Sequence, residues 1–189
     1  INAAGGINGK QVELVIEDSQ NDATQAVEIA KKFIEDKSIL CTVTGDSSTC
    51  NIACANYYEE AKMCLMAGCA SNAALTPMGD YIFSVAGRST DEIPFCIEGV
   101  LSGYFDVKKL AIIYANDDWG VGLNDSAQEL CADAGIEIVG AETFNVGETD
   151  FSSVLSKLRS TEPDSILVIA QYAEAGLIIN QIRRMGWDT

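Results

Sequence analysis

Two hydrophobic periods take turns along this chain. Short apolar runs at residues 12–16, 39–43, 63–67, 81–85, 110–115, 136–143 and 165–170 are separated by stretches whose apolar residues recur three and four apart. The first pattern belongs to buried strands and the second to helices packed by one face. A helix is predicted over residues 23–36, with Ala26, Val27, Ala30, Phe33 and Ile34 inward and Asp22 with Gln25 as its capping box. Another covers 49–61, burying Ile52, Ala55 and Tyr58. A third runs from Thr90 to Leu101, with Asp91 near its cap, Pro94 in its first turn, and Ile93, Cys96, Ile97 and Val100 buried. The loop 116–120 opens a helix that Gly135 stops, Asp150 caps one over Phe151, Val154, Leu155 and Leu158, and a last helix after Gln171-Tyr172 ends at Gly186. Residues 1–4 read as the final turn of a helix closed by Gly5-Gly6, and Asn8-Gly9, with no strand pattern before it, as a turn without a hairpin.

Strands alternating with helices, the strands nearly all apolar, imply an α/β fold with parallel sheets covered on both faces. Ligands of such sheets bind beyond the carboxyl ends of the strands. Those ends are residues 45–49, 69–71, 86–89, 116–119 and 171–172, and Gly87, between two sets of strands, is the expected hinge.

Composition narrows the chemistry. The 189 residues are 48% apolar and 7% aromatic, and no apolar run approaches the roughly 20 residues of a membrane-crossing helix. The net charge of −16 disfavours nucleic acid and anionic membranes as partners. There is no histidine, which removes Ser-His-Asp and Cys-His catalysis, histidine bases and most zinc sites. Seven cysteines without a C-x-x-C read as buried thiols. Phosphate-binding glycine motifs are absent, so no nucleotide cofactor is expected, and Asp117-Asp118 reads as a solvated pair rather than a metal site.

The stretch Thr44-Gly45-Asp46-Ser47-Ser48-Thr49 is the strongest candidate site: a glycine turn and hydroxyls at a helix start, where backbone N–H groups and the macrodipole favour an anion. A second small-residue turn, Gly68-Cys69-Ala70-Ser71-Asn72, follows the next strand, and Trp119 and Tyr172 stand at later strand ends. Hydroxyls and rings with no general base describe a binder more than an enzyme. An amino acid suits them, its carboxylate on serines and helix-start amides and its apolar part on the rings.

Ile1-Asn2-Ala3-Ala4-Gly5-Gly6-Ile7-Asn8-Gly9, Val12-Glu13-Leu14-Val15 with Asp18, Ala26 and Val27, the turn at 45–48, Ala70-Ser71-Asn72 with Leu75-Thr76, Phe83, Asp91, and Trp119-Gly120-Val121-Gly122 resemble the extracytoplasmic solute-binding proteins of branched-chain amino-acid ABC transporters, the leucine/isoleucine/valine group of type I periplasmic binding proteins. The resemblance implies two Rossmann-like lobes, residues 1–87 and 88–189, that close on an amino acid and deliver it to a membrane permease. It implies that Ser48 and Ser71, assisted by the backbone of Cys69 and Ala70, hold the ligand carboxylate and amine, that Trp119 and Tyr172 are cleft aromatics of the second lobe, and that Ser89 lies near the ligand on the hinge side. Arg88 departs from an apolar residue common in the family.

By the same resemblance the first strand of lobe one precedes Ile1, and the second-lobe acid follows Thr189. The chain is therefore expected to be a fragment truncated at both ends, either pairing exposed strand edges with another copy or left by proteolysis. Two other functions compete: a sensor ectodomain of the same fold, and a hydrolase using Ser47 or Ser48.

Overall fold

A computed structural model describes residues 1–188. The N-terminal half comprises α1 (Ala23–Glu35), β1 (Cys41–Thr44), α2 (Ser48–Ala61), β2 (Cys64–Ala67) and β3 (Ile82–Ser84). The C-terminal half comprises α3 (Ser89–Pro94), β4 (Lys109–Ala115), α4 (Asp118–Ala134), β5 (Glu137–Phe144), α5 (Ser152–Arg159), β6 (Ser165–Ile169) and α6 (Tyr172–Arg184). Each half carries a three-stranded parallel sheet, ordered β1-β2-β3 in the first and β5-β4-β6 in the second.

The second sheet is covered on both faces. Along β4, Leu110 and Ile112 join Leu123, Ala127 and Cys131 of α4, whereas Ala111 and Ile113 join Leu155 and Leu158 of α5 and Ile178 and Ile182 of α6. Helices following the neighbouring strands β4 and β6 thus lie on opposite faces, which opens a crevice between the carboxyl ends of those strands.

The first sheet departs from the expectation of two covered faces. Leu65, Ala67 and Ile82 pack under α1 and α2, but the alternate positions Val43 and Phe83 are exposed and Met66 only half-buried. Residues 12–16 likewise form no strand, and Leu14 is 76% exposed. Their alternation fits a strand, but a strand exists only with a ladder partner. In place of one, the Asn2 side chain both donates to the Val12 carbonyl and accepts the Val12 N–H, each at 2.8 Å. A cavity of about 130 Å³, lined by Ser19, Phe33, Thr42, Asp46 and Tyr58 among others, separates the 17–19 segment from β1.

Asp22 caps α1 by accepting the Gln25 N–H at 2.9 Å, as the sequence indicated. Three local expectations change. Asn8 (φ 51°) and Gly9 (φ 76°) do turn a minimal hairpin, with Ile7 and Lys10 exchanging both backbone hydrogen bonds. The third helix begins at Ser89, whose N–H donates to the Ser71 carbonyl at 2.8 Å, so Pro94 falls past the first turn. A proline there cannot complete the bond to the carbonyl four residues back, and the chain continues as a π-helix, Phe95–Ser102. The cap of α5 is Phe151 rather than Asp150, whose carboxylate instead accepts the Ser152 N–H and hydroxyl in a local turn.

Candidate functional site

The two small-residue turns of the N-terminal half lie against one another. Gly68 donates its N–H to the Thr44 carbonyl at 2.8 Å, and a Cβ on Gly68 would sit 2.8 Å from that same oxygen, so only glycine allows the approach. Ser48, the first residue of α2 and 2% exposed, accepts the Asn72 N–H on its hydroxyl at 3.2 Å. With the Ser71 carbonyl receiving the Ser89 N–H, the structure joins Ser48, Ser71 and Ser89 in one chain of contacts. Ala70 is buried, its carbonyl accepting the Ser84 hydroxyl, and Cys69 is exposed beside it.

The frame of this site is a residue the sequence did not single out. Asn51, 2% exposed, accepts the Thr44 hydroxyl at 2.7 Å and donates to the Asp46 and Ser47 carbonyls at 2.9 Å each, which fixes the turn before α2. The only signal was a polar residue at the start of the spacing Asn51, Ala55, Tyr58, all three of which are buried while Ile52 is half-buried. Ser19 adds a 2.5 Å bond to Asp46, and Asn21 accepts the Ser47 N–H at 3.0 Å.

In the C-terminal half Asp117 caps α4, accepting the Gly120 N–H at 2.7 Å. Among the described residues no group of acids, thiols or histidines suits a metal. Trp119 is half-buried against the core between the third helix and α4, whereas Tyr172, the first residue of α6, is 92% exposed. Both stand at the carboxyl ends of β4 and β6, but among the described residues no hydrogen bond joins Tyr172 to the serines. Glu174, two residues on, is buried and accepts the Gly147 N–H at 3.0 Å, another group that sequence pattern did not reveal. Arg88 is exposed.

The halves meet where the N-termini of α2 and α4 face each other: the Asp118 N–H donates to the Thr49 hydroxyl at 3.2 Å, and the Asn72 amide donates to the Asp118 carbonyl at 2.7 Å. Two helix N-termini present partial positive charge, and Asp46, Asp117 and Asp118 beside them present negative charge. Such a mixed field suits a zwitterion. Burial pushes the Cys50 thiol up, Cys54 to about 12 and Tyr58 to about 12, so all three stay protonated near neutrality. The cysteines are all free, and Cys41 and Cys69 are exposed rather than buried as their type suggested.

Comparison with known proteins agrees with this architecture. The chain is 29% identical, over 98% of its length, to an amino acid binding protein of Pseudomonas aeruginosa. It is also 29% identical over its whole length to a leucine-, isoleucine-, valine-, threonine- and alanine-binding protein of the same organism. It spans about half the length of these curated relatives, 50% in each case. Its fold matches the branched-chain amino acid transporter substrate binding protein LivJ of Streptococcus pneumoniae in complex with isoleucine, at 31% identity and a TM-score of 0.87 over 100% of this chain and 53% of that one. A leucine binding protein, LivK, of Thermotoga maritima shares the fold with a TM-score of 0.87 at 24% identity, over 98% of this chain and 53% of that one. Residues 1–189 match the sequence profile of one family throughout, and with its parallel sheets and paired turns the chain belongs to that family, the periplasmic binding proteins.

Proposed function

We propose that the protein is the extracytoplasmic solute-binding component of an ABC importer, taking a branched-chain or other apolar amino acid between two lobes, residues 1–87 and 88–189, and passing it unchanged to a membrane permease. The observation that carries this reading is the junction of the Ser48 and Ser71 turns with the N-terminus of α4. Ser48 and Ser71, with the backbone of Cys69 and Ala70, receive the ligand carboxylate and amine, Ser89 borders it on the hinge side, and Trp119 and Tyr172 cover its apolar part. Support comes from the relatives that bind leucine, isoleucine and valine and from the isoleucine complex of LivJ. Periplasmic or cell-surface lipoprotein attachment follows from the same reading, and among the described residues no helix is long and apolar enough to cross a membrane.

The test is calorimetry of the intact protein against the twenty amino acids. Saturable binding of isoleucine, leucine or valine is expected, and indifference to all twenty would remove the ligand assignment while leaving the fold intact.

A second interaction concerns residues 1–189 taken alone. Among the described residues the β1 edge has no neighbouring strand, and Leu40 before it and Val43 within it are exposed, so this segment self-associates through that edge. Sedimentation of the isolated chain should give a dimer or larger species, reduced by Val43→Lys, and a monomer at high concentration would refute it.

A further inference from the structure

We propose that Thr49 and Asn72 form a closure latch, gripping the backbone of Asp118 across the two halves and setting how long a ligand remains between them. The ligand arm of this inference rests on the binding reading above.

The cores of the two halves are separate: the first ends at Ile82 and the next begins at Ile93. Their relative position therefore depends on what crosses between them. Among the described residues three hydrogen bonds do so. One, from the Ser89 N–H to the Ser71 carbonyl, lies beside the covalent link at 85–88. The other two converge on Asp118, the first residue of α4, from positions 69 and 46 residues away in the chain.

Both backbone polar groups of Asp118 are held. The Asp118 N–H is one of the donors that a helix start leaves without an internal partner, and the Thr49 hydroxyl accepts it at 3.2 Å. The Asp118 carbonyl receives the Asn72 amide at 2.7 Å. Asn72 is oriented for this, because its Oδ1 is already occupied by the Ala74 N–H at 2.9 Å, which turns the amide nitrogen toward α4. Gly122, one turn further along α4, leaves room for it: a Cβ there would lie 3.2 Å from Asn72 Nδ2. Thr49 and Asn72 follow Ser48 and Ser71 directly in the chain, so the turns that hold the ligand also carry the side chains that hold the opposite half. These are positioning residues, since neither side chain needs to touch the ligand.

The test uses two variants of the intact protein. Thr49→Val keeps the side-chain shape and removes the acceptor. Asn72→Asp keeps an oxygen for Ala74 but sets a second one against the Asp118 carbonyl. Label pairs introduced as unnatural amino acids at Glu60 and Glu129, exposed positions on α2 and α4, report the separation of the halves without ligand. Both variants should move population to longer distances, Asn72→Asp further, and distributions superimposable on that of the unsubstituted protein would overturn the latch. In stopped-flow with isoleucine, Thr49→Val should speed dissociation about twofold to twelvefold, the net worth of one hydrogen bond, with association unchanged. Unchanged dissociation would also overturn it. If isoleucine and leucine do not bind at all, the binding reading fails, and the distance measurement still decides the latch. Should Asn72→Asp not fold, the nearly isosteric Thr49→Val carries both readouts.

Discussion

Ser48 Oγ accepts the backbone N–H of Asn72 at 3.2 Å, fastening the start of α2 to the turn after β2 across 24 residues of chain. The bond uses a lone pair of the hydroxyl and leaves its proton to donate, so Ser48 can brace the neighbouring turn and still offer a hydrogen bond to a carboxylate. Among the described residues the Ser71 side chain makes no such bracing bond. Ser71→Ala should therefore weaken amino-acid binding by about 1 to 3 kcal/mol, the cost of leaving a charged group short of a hydrogen bond, with little change in stability. Ser48→Ala should weaken binding by a similar amount and also lower unfolding free energy by about 1 kcal/mol, because the Asn72 N–H loses its acceptor. Calorimetry and urea unfolding separate the two effects, and equal stability losses in both variants would contradict the assignment.

Trp119 and Tyr172 stand at the carboxyl ends of β4 and β6 but in opposite states of burial, and their truncations should differ in kind. Trp119 packs against Leu123-containing core, so Trp119→Ala should cost stability, about 2 kcal/mol for a half-buried ring. Tyr172 is exposed, and Tyr172→Ala should leave stability within about 0.5 kcal/mol while lowering affinity for an apolar amino acid. Urea unfolding with calorimetry checks both. Unaltered affinity in Tyr172→Ala would take that ring out of the binding reading.

What sequence pattern revealed and what it hid divide along a physical line. The cap of α1 at Asp22 and the stop of α4 at Gly135 were legible, and both are local effects that three or four adjacent residues decide. Residues 12–16 carry the period of a strand, but pairing depends on a neighbour that periodicity does not encode. The start of the third helix at Ser89 was missed for a similar reason: the bond that places it comes from Ser71, eighteen residues earlier. Around the candidate site, the two turns that carry Ser48 and Ser71 were legible because both follow strands with small residues. Thr49 and Asn72 were not, since each acts on a backbone group that only tertiary packing brings near, and the local bonds of Asn51 to the Asp46 and Ser47 carbonyls depend on a turn geometry that periodicity does not encode.

Asp164 gives the C-terminal half a dependence on acid. Its carboxylate accepts the Lys108 and Lys109 N–H groups at 3.0 and 2.9 Å, clamping the loop before β6 to the start of β4. These two backbone bonds, with the lysine charges adding a little, hold its carboxyl below the usual 3.8. A carboxyl whose folded value is depressed contributes stability that is present in full above its unfolded value, near 3.9, and is lost as pH falls through the folded value. Asp164→Asn should therefore flatten the stability profile below about pH 4 while leaving its shape near neutrality unchanged. Urea titrations at a series of pH values measure this. A variant that loses stability in acid as steeply as the unsubstituted protein would assign the effect to other carboxylates, such as Asp36 and Asp150, which are also depressed but by serines two residues away.

The thiols sort by access and by burial, and their reactivity reports on the site. Only the thiolate is nucleophilic. Cys41 and Cys69 are exposed, whereas Cys50, Cys54 and Cys131 are buried with their thiols pushed up, Cys54 to about 12. Iodoacetamide at mildly alkaline pH should thus alkylate Cys41 and Cys69 first, and the buried three only after unfolding. Cys69 lies in the turn that carries Ser71, but Cys41 begins β1 at the opposite end of the strand from that turn. Saturating isoleucine should slow modification at Cys69 and leave Cys41 unaffected, as read by peptide mass spectrometry with time. Protection of both would indicate a general tightening of the fold, and protection of neither would place the ligand away from the Cys69 to Ser71 turn.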